Sequence, residues 1–215
     1  MDLLGQLSQK GIEIEQVAED VIASPEVIPD LFEGLENKKG TIRFGCEKIV
    51  RIISEKQPEL IYPYFDRVES LLDSDNNILK WGALIIISNL SSVDMDKKID
   101  RIFKKYFTPV TGKNMITASN IVKNAWKIAL AKPSLVEKIS REILRVEATE
   151  YENRGRPSPE CNSIVCGHAI DSFSRFFDKI KNKKPVVEFI NTQLNNPRTA
   201  VAKKAEKFLK KHNIN

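Results

Sequence analysis

The sequence contains few of the residues on which most enzymatic chemistry depends. Its 215 residues include two histidines and three cysteines, which leaves little material for acid–base catalysis, metal ligation or nucleophilic attack. Glycine-rich phosphate loops and the motifs His-Glu-x-x-His and Gly-x-Ser-x-Gly are absent. We therefore expect a protein that is not an enzyme and that holds no metal or cofactor.

Long apolar runs are also missing. No run approaches the roughly 20 residues that a bilayer-spanning helix needs, so no membrane partner is expected. The first residues, MDLLGQLSQKGIEIE, lack the basic start and long apolar core of a secretory signal. The cysteines (Cys46, Cys161, Cys166) do not form a disulfide framework, and reduced thiols are typical of the cytoplasm. We expect a cytoplasmic protein.

Charge is unevenly distributed along the chain. The net charge is +5, but residues 1–40 hold nine acids against three lysines, giving −6. Residues 179–215 hold ten lysines and arginines against two glutamates, giving +8. A solvated lysine face explains this basic C-terminus most simply, and a surface for the phosphate backbone of nucleic acid is the alternative.

The pattern of apolar residues predicts an all-α protein built from pairs of helices. The most apolar stretch, Asn77–Leu90, is expected to be the buried inner helix of one pair. An N-terminal helix with Ile14, Val17 and Val21 on one face precedes the pairs. Four of the five outer helices are predicted to begin at prolines, which suit the first turn of a helix: Pro25, Pro58, Pro133, Pro185. The third outer helix is predicted to begin near Asp94. The other inner helices are predicted at Thr41–Ser54, Asn114–Ala131, Ser163–Asp178 and Arg198–Lys211.

The inner helices repeat a common apolar pattern. Their first apolar positions are separated by 37, 39, 47 and 36 residues, and the residues four and eight positions later are also apolar. Small or medium residues at the first two positions suit close contact between helices. The three rows are Ile42, Leu79, Ala118, Val165, Val201; Cys46, Ala83, Val122, Ala169, Ala205; and Val50, Ile87, Trp126, Phe173, Leu209.

Two of these helices resemble the second helix of HEAT repeats. Ile42-Arg43-x-x-Cys46-x-x-x-Val50 and Leu79-Lys80-x-x-Ala83-x-x-x-Ile87 carry an apolar–basic pair, then a small residue, then a large one. The resemblance implies an α-solenoid of about five HEAT-like helix pairs in a single domain, residues 1–215, with an extra N-terminal helix. The repeats are predicted at approximately 24–56, 57–92, 93–132, 133–183 and 184–215. The alternatives are a compact helical bundle, or an α/β protein in which residues 83–88 form a buried strand.

Arg154-Gly155-Arg156-Pro157 matches the core of an AT-hook, in which two arginines lie in a narrow minor groove of DNA. The fourth repeat is about ten residues longer than its neighbours here, so an inserted loop is the favoured interpretation.

Cys161-x4-Cys166-x-His168 brings together residue types that ligate metals, but no further pair completes a site, and packing is favoured.

Two tryptophans, Trp81 and Trp126, lie on predicted inner helices. Alkylpurine DNA glycosylases are HEAT-like solenoids that use tryptophans and an aspartate on a concave basic surface. The sequence lacks an adjacent tryptophan and aspartate of that kind, and Trp126 falls on a predicted core row. We interpret both tryptophans as core residues.

The favoured function is a scaffold that binds a protein or peptide, with an acidic segment as the natural complement, in a groove formed by the inner helices. The expected partner-binding residues are Arg43, Lys48, Arg51, Lys80, Lys123 and Lys127. The alternative is a DNA-binding protein or HEAT-like glycosylase that uses the basic C-terminal half. Its candidate nucleic-acid contacts are Arg154, Arg156, Arg198, Lys203, Lys207 and Lys210.

Overall fold

The computed structural model describes residues 3–9 and 11–214, and most of this part of the chain is helical. None of its helices is both long enough and apolar enough to cross a membrane. The chain divides into two compact units, residues 1–101 and 102–215. The α-helices are α1 (Leu3–Gln6), α2 (Ile14–Ala23), α3 (Ile28–Gly34), α4 (Gly40–Lys56), α5 (Pro58–Ile61), α6 (Phe65–Ser70), α7 (Asn77–Leu90), α8 (Lys98–Phe107), α9 (Met115–Ala131), α10 (Val136–Leu144), α11 (Pro159–Phe176), α12 (Lys184–Gln193) and α13 (Thr199–Lys211).

In the first unit, α4 packs between α2 and α7, while the shorter helices α3 and α6 cover α4 and α7. α7 begins where its sequence predicts, because the side chain of Asn76 accepts hydrogen bonds from the backbone N–H groups of Ile78 and Leu79, at 3.0 and 3.3 Å. Residues 83–88 lie inside α7, so the alternative in which they form a strand is wrong.

In the second unit, α11 packs between α9 and α13. The side chain of Asn114 caps α9 by accepting from the N–H groups of Ile116 and Thr117, both at 3.0 Å. Ser158 caps α11 and Pro159 occupies its first turn. The three helices α9, α11 and α13 are the inner helices of the last three predicted repeats.

The first two apolar rows of the inner helices are buried in every helix, as predicted. The third row is only partly right, because Trp126 and Leu209 are half-buried. The residue one position earlier is buried in all five helices: Ile49, Ile86, Ala125, Ser172, Phe208. At 100° per residue, position i+7 lies 20° from position i, whereas i+8 lies 80° away at the edge of the buried stripe.

The outer helices begin near their prolines but are less regular than predicted. Pro25 and Pro133 open 3-10 turns that lead into α3 and α10. The third outer helix was expected near Asp94 but begins at Lys98, because the Asp94 carboxylate accepts hydrogen bonds from the N–H groups of Lys98 and Ile99, at 2.8 and 3.1 Å. Asp94 therefore acts as a cap before the helix.

The inserted segment of the fourth repeat forms a small hairpin rather than an irregular loop. Glu152–Asn153 (β1) pairs antiparallel with Arg156–Pro157 (β2). The two residues between them, Arg154 and Gly155, have φ angles of +53° and +76°, the left-handed combination that a two-residue hairpin turn requires. The hairpin is anchored beside Tyr151, which is fully buried and donates a hydrogen bond to the carbonyl oxygen of Val110 at 2.7 Å.

Candidate ligand-binding groove

A basic groove of about 440 Å³ lies in the second unit, along the exposed faces of α9, α11 and α13. Five cationic side chains and one carboxylate line it, together with an indole and an imidazole. The charged and aromatic lining residues of interest are Lys123, Trp126, His168, Asp171, Arg175, Lys204, Lys207 and Lys211.

Helical spacing brings these side chains to one surface. His168, Asp171 and Arg175 stand at positions i, i+3 and i+7 of α11, and Lys204, Lys207 and Lys211 repeat that spacing on α13. Residues three, four and seven positions apart share one face of a helix. Since α11 lies between α9 and α13, each helix adds one row of polar groups to the groove.

Trp126 lies in this groove rather than in the core, which corrects the prediction from the apolar rows. Its indole is half-buried, and the guanidinium of Arg175 lies over it, 4.4 Å from the ring centroid. The Lys127 ammonium is 5.8 Å from the same ring. Cation–π contacts of this kind hold charge against the ring, so Trp126 supports the cationic lining of the groove.

Two of the groove lysines are held in place by neighbouring groups on α11. Lys204 forms an ion pair with Asp171, and its ammonium lies 3.4 Å from the carbonyl oxygen of Gly167. Lys211 donates to the carbonyl oxygen and the hydroxyl of Ser174, at 2.6 and 3.1 Å. Helices α11 and α13 approach each other closely at Gly167, where an added Cβ would be 3.1 Å from the Val201 side chain of α13.

Lys123 and Lys207 differ from these two lysines, since neither forms an ion pair with any residue that the structure describes. Both are exposed. The groove therefore combines two fixed ammonium groups with two that remain available to a ligand.

His168 is half-buried beside these cations. Burial lowers the pKa of its imidazole to about 4, with Lys123 and Lys204 lowering it further and Asp171 opposing them. At neutral pH the ring is consequently uncharged, and it can donate one hydrogen bond and accept another.

The partner-binding cations predicted in the first unit are largely engaged within that unit. Arg43 donates to the carbonyl oxygen of Asn37 at 3.3 Å and lies over the ring of Phe44. Lys48 pairs with Glu15 at 2.8 Å, and Arg51 pairs with the buried Glu47 at 3.0 Å. Lys80 is half-buried.

The side chains predicted to contact nucleic acid lie on the hairpin and at the start of or within α13. Arg154 and Arg156 are exposed on the hairpin. Arg198 pairs with Glu160 at the start of α13. Lys207 lines the groove, whereas Lys203 and Lys210 are exposed and are not among its lining residues.

The cysteines and histidines form no metal site in the described residues, where no group of three potential ligands lies close enough to hold an ion. Cys161 and Cys166 are both buried, and burial raises the pKa of the Cys166 thiol to about 12. This thiol is therefore protonated and unreactive at neutral pH.

Of the groove residues, sequence reasoning named Lys123 and Lys207 and missed the contribution of α11. The signal was present in His168, Asp171 and Arg175, whose spacing matches that of the lysines on α13. Sequence reasoning considered His168 only with Cys161 and Cys166 as a potential metal ligand, and it did not single out Asp171 or Arg175.

The fold is that of an all-α solenoid, a class in which helix pairs repeat along the chain. A designed armadillo repeat protein matches with a TM-score of 0.58 and 13% sequence identity, over 99% of this chain and 98% of that one. An engineered protein from the Northeast Structural Genomics Consortium matches with a TM-score of 0.50 and 13% identity, over 98% and 96% of the two chains. No protein-family model and no curated protein matches the sequence.

Proposed function

We propose that this chain is a non-enzymatic repeat scaffold that binds an acidic segment of a protein in the groove lined by α9, α11 and α13. The observation that carries the proposal is the charge of the groove, in which five cations face one carboxylate. Helical repeats expose extended surfaces of this kind to peptides, and charge complementarity selects the partner and accelerates its binding.

The proposal extends the prediction made from sequence and moves its centre. Lys123 remains within the proposed site and Lys127 lies beside it, 5.8 Å from the Trp126 ring, whereas Arg43, Lys48 and Arg51 have partners in the first unit. We retain the HEAT-like character of the repeats and the cytoplasmic location as parts of the proposal, because the helix motifs and the three unpaired cysteines support them.

A binding assay with matched charge reversals tests this function. The probe is a fluorescent peptide of about ten residues composed of glutamate, aspartate and alanine, long enough to cross three helices whose axes are about 10 Å apart. We expect Lys123→Glu combined with Lys207→Glu to weaken binding at least about tenfold. The control is Lys203→Glu with Lys210→Glu, which makes the same change in net charge outside the groove. Equal weakening by both pairs, or no binding by the wild-type protein, would contradict the proposal.

A second candidate function is DNA binding, with glycosylase activity as its most specific form. Trp126 and Asp171 line the same basic groove, which supports this candidate more than the sequence did. Two features argue against it: Asp171 is paired with Lys204, and Arg175 covers the indole.

The Arg154–Pro157 hairpin also departs from the extended arginines of an AT-hook, because Arg154 lies in the turn itself and Arg156 lies on β2. A gel-shift titration with AT-rich and random duplexes at two salt concentrations separates the candidates. Retardation of the duplex at low salt, together with release of an alkylated base, would favour the glycosylase. The absence of retardation would exclude DNA binding as the function.

A further inference from the structure

The groove contains an uncharged imidazole, that of His168, near two ammonium groups. The ring of His168 forms no hydrogen bond with any residue that the structure describes, although it is half-buried and lines the groove. Lys123 and Lys204 are both close enough to disfavour its protonated form. A polar ring in these surroundings has hydrogen-bonding capacity that a ligand in the groove can use.

The cluster is assembled from all three inner helices. Lys123 comes from α9, His168 from α11 and Lys204 from α13. Lys204 is oriented by Asp171 and by the carbonyl oxygen of Gly167, while Lys123 has no ion-pair partner in the described residues. The cluster therefore takes its donors from three helices that line one groove.

We propose that Lys123, His168 and Lys204 form a binding site for a phosphoryl group, carried by a phosphorylated side chain of the acidic segment. This inference rests on the function proposed above and specifies the chemistry of its ligand. A phosphorylated serine or threonine carries about −1.5 to −2 charges and three acceptor oxygens. Three donors match three oxygens, whereas a carboxylate offers two oxygens and a single charge.

A phosphopeptide fits the groove better than a nucleic acid does. Single-stranded nucleic acids gain affinity by stacking bases on open aromatic rings. The indole of Trp126 is not open in this way, because cations lie over it: Arg175 is 4.4 Å and Lys127 is 5.8 Å from the ring centroid. A peptide needs no stacking platform and can bind its phosphoryl group and flanking carboxylates to the cations alone.

Three synthetic peptides of about ten residues test the inference on the wild-type protein. They share acidic flanks and differ only at a central phosphoserine, glutamate or serine. By fluorescence anisotropy at neutral pH, we expect the phosphoserine peptide to bind about tenfold more tightly than the glutamate peptide. This preference should be lost in His168→Ala and Lys123→Ala but kept in Lys203→Ala, the control lysine on α13.

The outcomes separate the inference from the function on which it rests. If the phosphoserine and glutamate peptides bind equally, the phosphoryl site is wrong while the acidic-peptide function stands. If no peptide binds, both are wrong. If a short oligonucleotide displaces the phosphopeptide at lower concentrations than unlabelled phosphopeptide does, the ligand is a nucleic acid and the inference is overturned.

A spectroscopic measurement gives a readout that does not depend on the variants folding. Titration of the histidine ring protons by NMR should show that the phosphoserine peptide raises the pKa of His168 from its low value, because the bound anion offsets Lys123 and Lys204. His212, which packs against Phe177 and Phe208, is the internal control. A His168 pKa that does not change in the saturated complex would place the phosphoryl group elsewhere.

Discussion

Substitution of Gly34 offers a direct test of how closely α3 approaches α4. A Cβ added at Gly34 would lie 2.3 Å from the Sγ of Cys46 and 2.9 Å from a terminal carbon of Leu4, where an unstrained contact needs about 3.5 Å or more. Leu4 is half-buried and its side-chain end can move, but Cys46 is fully buried. The sulfur is therefore the obstacle to a methyl group at position 34.

The expected magnitudes follow from this contact. Overpacking a buried site costs about 1–3 kcal/mol, and the better helix propensity of alanine offsets about 1 kcal/mol. We expect Gly34→Ala to lower the free energy of unfolding by up to about 2 kcal/mol. Cys46→Ala should lower it by a similar amount, because it leaves a small cavity. In the double variant the new methyl group fills the space of the lost sulfur. The double variant should therefore lose about 2 kcal/mol less stability than the sum of the two single losses.

Urea unfolding followed by circular dichroism measures the three stabilities, and native-state hydrogen exchange of the α3 and α4 amides assigns them to the first unit. Gly40→Ala is the matched control, since a Cβ there would be 3.4 Å from the nearest atom of Phe44 and should be neutral or slightly stabilising. If the double variant loses the sum of the two single losses, to within about 0.5 kcal/mol, the proposed contact between Gly34 and Cys46 is refuted.

Three further predictions test other features of the structure by urea unfolding. Tyr151→Phe should cost about 1–2 kcal/mol because it leaves the buried carbonyl of Val110 without its donor, whereas the control Tyr64→Phe should be nearly neutral, since no described residue bonds its hydroxyl. Asn114→Ala should cost about 1 kcal/mol by removing the cap of α9; a loss below about 0.3 kcal/mol would contradict that role. Burial raises the pKa of Glu47, so the stability it contributes is present below its unfolded pKa and is lost as pH rises through its folded pKa. The stability of Glu47→Gln relative to wild type should consequently increase as pH rises above about 4.5, and a constant difference would contradict the raised pKa.

Sequence periodicity predicted the inner helices well because their buried stripes are strong. α7 has the predicted bounds, and α9 begins one residue after its predicted start because Asn114 is its cap. Capping asparagines and apolar spacing are local signals that the surrounding fold does not override. The outer helices were harder to predict, since 3-10 turns and proline positions such as Pro133 interrupt them.

The groove could be predicted only in part, because its residues become neighbours through packing. Nothing in the sequence indicates that Arg175 on α11 covers Trp126 on α9. The choice between the core and the groove for Trp126 depends on a difference of one position, since Ala125 beside it takes the buried place. The rotation of the helix about its own axis decides which of two adjacent residues is buried. A single sequence does not determine that rotation.

The two kinds of groove lysine should make different contributions to the binding proposed above. Lys204 and Lys211 are already ordered by Asp171 and by Ser174, so they lose little conformational freedom when a ligand binds. Lys123 and Lys207 must be ordered by the ligand itself, at a cost of up to about 2 kcal/mol each. In the proposed complex, Lys204 and Lys211 should therefore help to define where an anion sits, Lys123 should complete the phosphoryl site once the ligand orders it, and Lys207 should attract the anion from solution through a field that salt screens. It follows that charge reversal of Lys207 should mainly slow association at low salt, whereas loss of Lys204 should mainly accelerate dissociation, and stopped-flow kinetics of the acidic peptide distinguishes the two effects.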